Sequence, residues 1–214
     1  MSPDAWQKDA ADSYDRVAAV YAERTRSALQ ELPWMRGAFT QLVRLVSSSG
    51  GGPVLDVGCG PGWTTGFLVE EGIDAFGVDI SSEMVHVARH NNPGVRFEPA
   101  SLFCLPGNDA TLAGVVCWFV LHHVPDGDLD AALAEMARVL KPGGVLLLGG
   151  HVGEGSRVKT EGYGGHPMRV LVNLRPAPEW ETRLRRMGFR LEAHATCDID
   201  DPSPWHALFA RKAS

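Results

Sequence analysis

The nine residues Val54-Leu55-Asp56-Val57-Gly58-Cys59-Gly60-Pro61-Gly62, with Asp79 seventeen positions beyond them, restrict this chain more than any other stretch. An apolar run of strand length enters three glycines at alternate positions. A helical segment follows, and a second apolar run ends in a carboxylate. Strand, glycine turn, helix and strand in succession open a parallel sheet, because parallel neighbours need a crossover and a helix supplies it.

The rhythm continues. Periodicity and turn signals predict strands over 53–57, 75–79, 95–98, 112–119 and 145–148, with helices over 62–71, 81–90 and 129–140. Ser81 is placed to cap the second of these helices, with Glu83 in its first turn. The run 112–119 is continuously apolar, as expected of a strand covered on both faces. Lys141-Pro142-Gly143-Gly144 ends the third helix. Ahead of the sheet, residues 10–46 read as helix, with Tyr14, Val17, Val20 and Tyr21 at spacings of three and four, and Pro33 dividing the segment into two helices. Ser47 to Gly52 is a connector without core-forming side chains. Behind the fifth strand comes a glycine-rich stretch over 149–165, read as a loop, then a further strand over 170–174. A helix over 178–187 is stopped by Gly188, and strands over 189–195 and 205–211 are joined by an acidic, proline-bearing turn, 198–204. Two strands with no helix between them pair antiparallel.

At 214 residues, 44% hydrophobic and 21% charged, the chain suits one α/β domain with a sizeable core. A net charge of −6 argues against a phosphate-backbone partner. Arg183, Arg185 and Arg186 fit the wet face of one helix. The polar, acidic N-terminus has no apolar leader core, and no run reaches membrane-spanning length, so a soluble cytoplasmic protein with no membrane partner is expected. Cys59, Cys104, Cys117 and Cys197 are too widely spread for a metal knuckle, and reduced thiols are the expectation.

A glycine turn lets backbone approach a ligand where a Cβ would obstruct it, and the following helix offers unpaired N–H groups. The spacing Gly58-x-Gly60-x-Gly62 is tighter than the G-x-G-x-x-G of dinucleotide sites, and Asp56 lies inside the first strand. Asp79, at the carboxyl end of the second strand, is placed to accept both hydroxyls of a ribose. Val54–Gly62, Gly77-Val78-Asp79-Ile80-Ser81, Val120-Leu121-His122-His123 and Arg138-Val139-Leu140-Lys141-Pro142-Gly143-Gly144 together resemble the class I S-adenosylmethionine-dependent methyltransferases, small-molecule branch, over roughly residues 10 to 211.

That resemblance implies a Rossmann-like seven-stranded sheet of order 3-2-1-4-5-7-6, last strand antiparallel, with helices on both faces. Residues 1–214 would form one domain, with 1–47 as a helical cap, 53–214 as the sheet core and 150–176 as a lid or acceptor segment. It implies S-adenosylmethionine as methyl donor and S-adenosylhomocysteine as product. Gly58, Gly60 and Gly62 would line the methionine part, Asp56 would orient its amino group, and Asp79 would hold the ribose. Ser101, standing where many relatives carry an acid, would meet the adenine beside Leu102. Trp118 would sit near the sulfonium or wall the pocket. Tyr21, Cys59, Ile80, Met84 and His123 complete the implied cofactor contacts.

Methyl transfer from a sulfonium needs alignment, exclusion of water and sometimes removal of a proton. His123, His151 and His166 fall where the sheet's carboxyl edge is expected, and each is a candidate base; the alternative is that the His122-His123 pair caps its loop. Tyr14 and Tyr21 share a helical face, either as core packing or as a cover for the cofactor. Asp126, Asp128 and Asp130 read as helix-start acids rather than a metal cluster. The resemblance implies methylation of an oxygen or nitrogen of a small organic molecule, such as a specialised metabolite. The alternative from another class is a sensor or scaffold that binds S-adenosylmethionine without transferring its methyl group. The sequence is silent on oligomeric state.

Overall fold

The computed structural model describes residues 3–197 and 204–213. The expected acidic turn at 198–203 lies outside the described residues. In chain order the elements are α1 (Pro3–Thr25), α2 (Ala28–Glu31), α3 (Pro33–Ser48), β1 (Val54–Val57), α4 (Trp63–Glu70), β2 (Ala75–Asp79), α5 (Ser82–Asn91), β3 (Phe97–Pro99) and β4 (Leu112–Trp118). After a 3₁₀ turn at Leu121–His123 come α6 (Asp126–Val139), β5 (Leu140–His151), β6 (Gly155–Gly162), β7 (His166–Leu174), α7 (Ala177–Arg186), β8 (Phe189–Cys197) and β9 (Trp205–Lys212).

The main sheet has seven strands in the order β3-β2-β1-β4-β5-β9-β8. Strands β1 to β5 pair in parallel, while β9 pairs antiparallel with both β5 and β8. Counting only the strands of this sheet, the order is the expected 3-2-1-4-5-7-6. The difference is a separate two-stranded sheet, β6 with β7, inserted between β5 and α7. The glycine-rich stretch read as a loop is therefore largely hairpin. Its strands meet through Tyr163-Gly164-Gly165, all three in the left-handed region, with φ of 46°, 96° and 84°.

Strand alternation divides the core. Val115, Cys117, Leu146, Leu148, Leu208 and Ala210 point to one face, where they pack with Leu129, Leu133 and Met136 of α6 and Trp180 and Leu184 of α7. Val116, Trp118, Val145, Leu147, Ala207 and Phe209 point to the other, against Phe39, Leu42 and Val46 of α3 and Phe67 and Leu68 of α4. The unbroken apolar runs of β4 and β5 follow from this coverage on both sides.

Several boundaries move for physical reasons. Pro33 occupies the first turn of α3, where its missing N–H is harmless, and a second break at 26–27 isolates the single turn α2. Helix α6 starts at Asp126 behind Pro125, with Asp126 and Asp128 in its first turn. Strand β5 begins at Leu140, which pairs with Leu112 ahead of a shift in register. Strand β3 is delayed to Phe97, opposite Gly77.

Gly149 of β5 marks a tight contact: a Cβ there would lie 2.2 Å from Trp118 Cε3. Gly127, in the first turn of α6, has no atom within 4 Å of such a Cβ. Gly149→Ala should therefore cost about 1–3 kcal/mol through overpacking, whereas Gly127→Ala should be neutral or slightly stabilising. Urea midpoints of the two variants test the contrast; equal effects would contradict the packing described.

Candidate active site

The carboxyl edge of the sheet is organised by Asp79. Its Oδ2 accepts the Gly60 amide N–H at 2.9 Å and its Oδ1 accepts that of Ser81 at 2.9 Å. One carboxylate thus joins the glycine turn after β1 to the start of α5. Ser81 caps α5 by accepting from the Met84 N–H at 3.1 Å, and its hydroxyl donates to Asp15 of α1 at 2.6 Å. Asp15 also accepts the Glu83 N–H at 3.1 Å. Burial pushes the Asp79 carboxyl up to about 6, against the backbone amides of Ser81, Gly60 and Ile80, which favour its charge.

Helix α1 lies across this edge and is held on its other side by the hairpin. Ser13 Oγ accepts the Arg169 N–H at 2.8 Å, and Asp9 pairs with the Arg169 guanidinium. Under α1 is a cavity with about 730 Å³ of empty space, its open mouth included. Gly58, Gly60 and Asp79 form its floor; Ile80, Met84, Ala100 and Leu102 lie toward α5 and β3; Trp118, Phe119, Val120 and His123 follow β4. Trp6, Ala10, Tyr14 and Tyr21 of α1 complete the lining. A second, largely apolar chamber shares Tyr21, Gly58, Gly60, Trp118 and Phe119 and runs on past Ala28, Leu29, Leu32 and Met35.

Of the expected contacts, Tyr21, Gly58, Gly60, Asp79, Ile80, Met84, Leu102, Trp118 and His123 line the first cavity. Others lie outside it. Asp56 is buried behind the turn, where Oδ2 accepts the Thr64 and Thr65 hydroxyls at 2.6 and 2.7 Å; burial raises its pKa and those hydroxyls oppose the rise. It fixes the first turn of α4. Gly62 packs backwards, and a Cβ there would meet Asn92 at 2.7 Å and Phe97 at 3.0 Å. Cys59 is buried with Val85, Ala88 and Phe97 and touches only the second chamber. Ser101 donates to Gln7 at 2.8 Å and accepts from the Phe103 N–H, leaving Ala100 and Leu102 to face the cavity.

The three candidate bases separate. His123 is buried and lines the cavity. His151, at the end of β5, packs edge-on to Phe119 and His122, with centroids 4.8 and 5.7 Å away, outside the cavity wall. His166 is exposed at the start of β7, paired with Gly162, and is not brought to the site. Burial lowers the pKa of His122 well below the ordinary histidine value, and the neighbouring His123 and His151 lower it further.

Trp6, Ala10 and Phe119 are not among the expected contacts, whereas Tyr14, expected either as core packing or as a cover for the cofactor, lines the cavity. Trp6, Ala10 and Tyr14 lie on one side of α1. They recur at a spacing of four, which a helix begun at residue 6 instead of 10 would have revealed. Phe119 adopts φ 56°, strained for an aromatic residue, and only the structure shows it.

The chain's sequence matches, over residues 54–144, the family described as "Methyltransferase domain". It is 30% identical to a malonyl-[acyl-carrier protein] O-methyltransferase of Erwinia billingiae over 61% of this chain and 51% of that protein. It is 34% identical to a demethylmenaquinone methyltransferase of Tropheryma whipplei over 63% of this chain and 56% of that protein. Over this region the chain is similar to S-adenosylmethionine-dependent methyltransferases. It spans about half the length of these curated relatives. The solved DhpI–SAH complex shares the methyltransferase fold at 23% identity, with a TM-score of 0.71 over 97% of each chain.

Asp79 gives this cavity a measurable signature. Its folded-state pKa, raised from 3.8 to about 6, means that folding disfavours the ionised form. The stabilisation this gives is fully present below the unfolded pKa and is lost as pH rises through about 6, up to about 3 kcal/mol in all. In the ligand-free protein, the stability difference between wild type and Asp79→Asn should change across that window, with wild type losing ground as pH rises. A difference independent of pH would contradict the burial described.

Proposed function

We propose that this chain transfers a methyl group from S-adenosylmethionine to an oxygen or nitrogen of a small organic molecule. The observation that carries the reading is the Asp79 carboxylate, tied to the Gly60 amide at the floor of a cavity bounded by Gly58 and Gly60. The cavity fits such a donor: a buried carboxylate stands ready for ribose hydroxyls, and Cβ-free backbone leaves room beside it. A Cβ on Gly58 would lie 2.2 Å from Val120 Cγ2, so the turn has no space for a larger residue.

On this reading Asp79 holds the ribose. Ile80, Met84, Ala100 and Leu102 enclose the adenine, and the backbone of Gly58 and Gly60 meets the methionine part. When bound, the donor supplies an electrophilic methyl group on a sulfonium. The chain's contribution is to orient it, to keep water out under α1, and to present an acceptor beside Trp118 and Phe119. Residues 1–214 act as one unit, with 1–47 as a cap and the β6–β7 hairpin, within 150–176, covering the acceptor side. A cytoplasmic setting belongs to the same reading. It is supported by the unpaired thiols of Cys59, Cys104 and Cys117.

Calorimetry with S-adenosylhomocysteine and turnover with a panel of phenols, amines and carboxylates test this. Asp79→Ala should weaken S-adenosylhomocysteine binding about tenfold or more, because two ribose hydroxyls lose a charged partner. Unchanged affinity would remove Asp79 from the site. Tight binding by wild type without turnover on any acceptor would favour a binding protein over an enzyme.

A further inference from the structure

Two contacts decide what His123 can do. Its Nδ1 lies 2.6 Å from the Leu171 carbonyl oxygen. A carbonyl has no proton to give, so Nδ1 carries the hydrogen and Nε2 keeps its lone pair. Tyr14 Oη lies 2.8 Å from that Nε2 and must donate to it. With its one proton committed to His123, the Tyr14 oxygen is an acceptor toward everything else. Both Tyr14 and His123 line the cavity, and the Tyr163 ring packs beside Tyr14 with centroids 6.5 Å apart.

His123 is thus not open to an acceptor directly, because Tyr14 covers its basic nitrogen. We propose, resting on the methyl-transfer reading above, that Tyr14 and His123 act as one proton-accepting pair and that the acceptor is a phenolic or enolic hydroxyl whose O–H is received by Tyr14 Oη. As the acceptor oxygen bonds to the methyl carbon, the S–CH₃ bond breaks and leaves its electron pair on sulfur. The hydroxyl proton passes to Tyr14 Oη while the Tyr14 proton passes to His123 Nε2. One positive charge leaves the sulfonium and one appears on the imidazole, so no further reactant is needed. The Nδ1–H stays on the Leu171 carbonyl throughout.

The geometry of the pair matches a hydroxyl acceptor, which must give up a proton and finds the Tyr14 oxygen able to receive it. Burial lowers His123 to about 4, with Lys159 and His151 adding to the effect and the Leu171 carbonyl opposing it. A neutral amine attacks through its own lone pair and can lose its proton to water afterwards, so it has no need of such a pair. A hydroxyl oxygen becomes strongly acidic as its new bond to carbon forms, and a weak base then suffices. The same weakness returns the proton to solvent once the product leaves.

The test uses the full chain, with histidine rings labelled with ¹⁵N and S-adenosylhomocysteine bound. The expected spectrum shows neutral His123 protonated at Nδ1, with an Nε2 shift typical of a hydrogen-bond acceptor. In Tyr14→Phe that shift should move to the value of an unbonded nitrogen. A proton on Nε2, or no response to Tyr14→Phe, overturns the pair. With S-adenosylmethionine and the acceptor panel, Tyr14→Phe and His123→Gln should each lower kcat toward hydroxyls by about 100-fold or more. Calorimetric S-adenosylhomocysteine affinity should fall far less than kcat, and the double variant should be no worse than the poorer single one. Multiplying losses, or a wild type that methylates amines and no hydroxyl, overturns the pair while methyl transfer stands. Failure of the wild type to bind S-adenosylhomocysteine overturns the reading beneath it.

Discussion

A run of hydrogen bonds from Gly60 through Asp79 and Ser81 to Asp15 holds the working edge of this molecule together. Each link joins a different element: the turn after β1, the end of β2, the start of α5, and α1. Hydrophobic burial places the sheet between its helices, but it is non-directional and would tolerate α1 in other positions. The polar links are directional, and those between buried groups are costly to leave unmade. They determine where the helix lies, and the cavity exists because the helix lies there.

The same edge keeps its titratable groups from charging. Burial raises Asp79, Asp56, Tyr14 and Tyr21 and lowers His122 and His123, every shift toward the neutral form. A cavity walled this way suits a cationic donor: its own charge is not neutralised in advance by a fully ionised wall, while a carboxylate near its titration point can charge in response. Three tyrosines, two from α1 and one from the hairpin, meet over this space, with Tyr21 and Tyr163 centroids 4.8 Å apart. Lys159 stands 4.4 Å from the Tyr163 ring centroid, holding the tip of the hairpin to the same cluster.

Sequence periodicity was a good guide where neighbours in the chain are neighbours in space. The succession of strands and helices, the glycine turn and the Ser81 cap are each written in patterns a few residues long, and all are found. It was a poor guide where glycine was read as absence of structure. Residues 149–165 contain enough glycine to suggest a loop, yet β5 runs on to His151 and β6 follows, because hairpin strands pair through backbone groups that glycine also carries. Asp56 shows the other limit. Its position marked it as important, and the structure adds what the spacing could not show, that its Oδ2 accepts the Thr64 and Thr65 hydroxyls at the start of α4.

By itself, then, the sequence determined the alternation of strands and helices, the antiparallel ending and the glycine turn ahead of a carboxylate, because those features follow from alternation, spacing and turn chemistry along the chain. The strand order and the methyl donor came from the resemblance its motifs carry. The tertiary structure alone decided which stripe of α1 faces the cavity, which of three histidines reaches it, and which nitrogen of His123 carries the proton. The last depends on a tyrosine 109 residues away and a carbonyl 48 residues away. No local pattern encodes such a meeting; it is made when helix, turn and hairpin pack on the same edge.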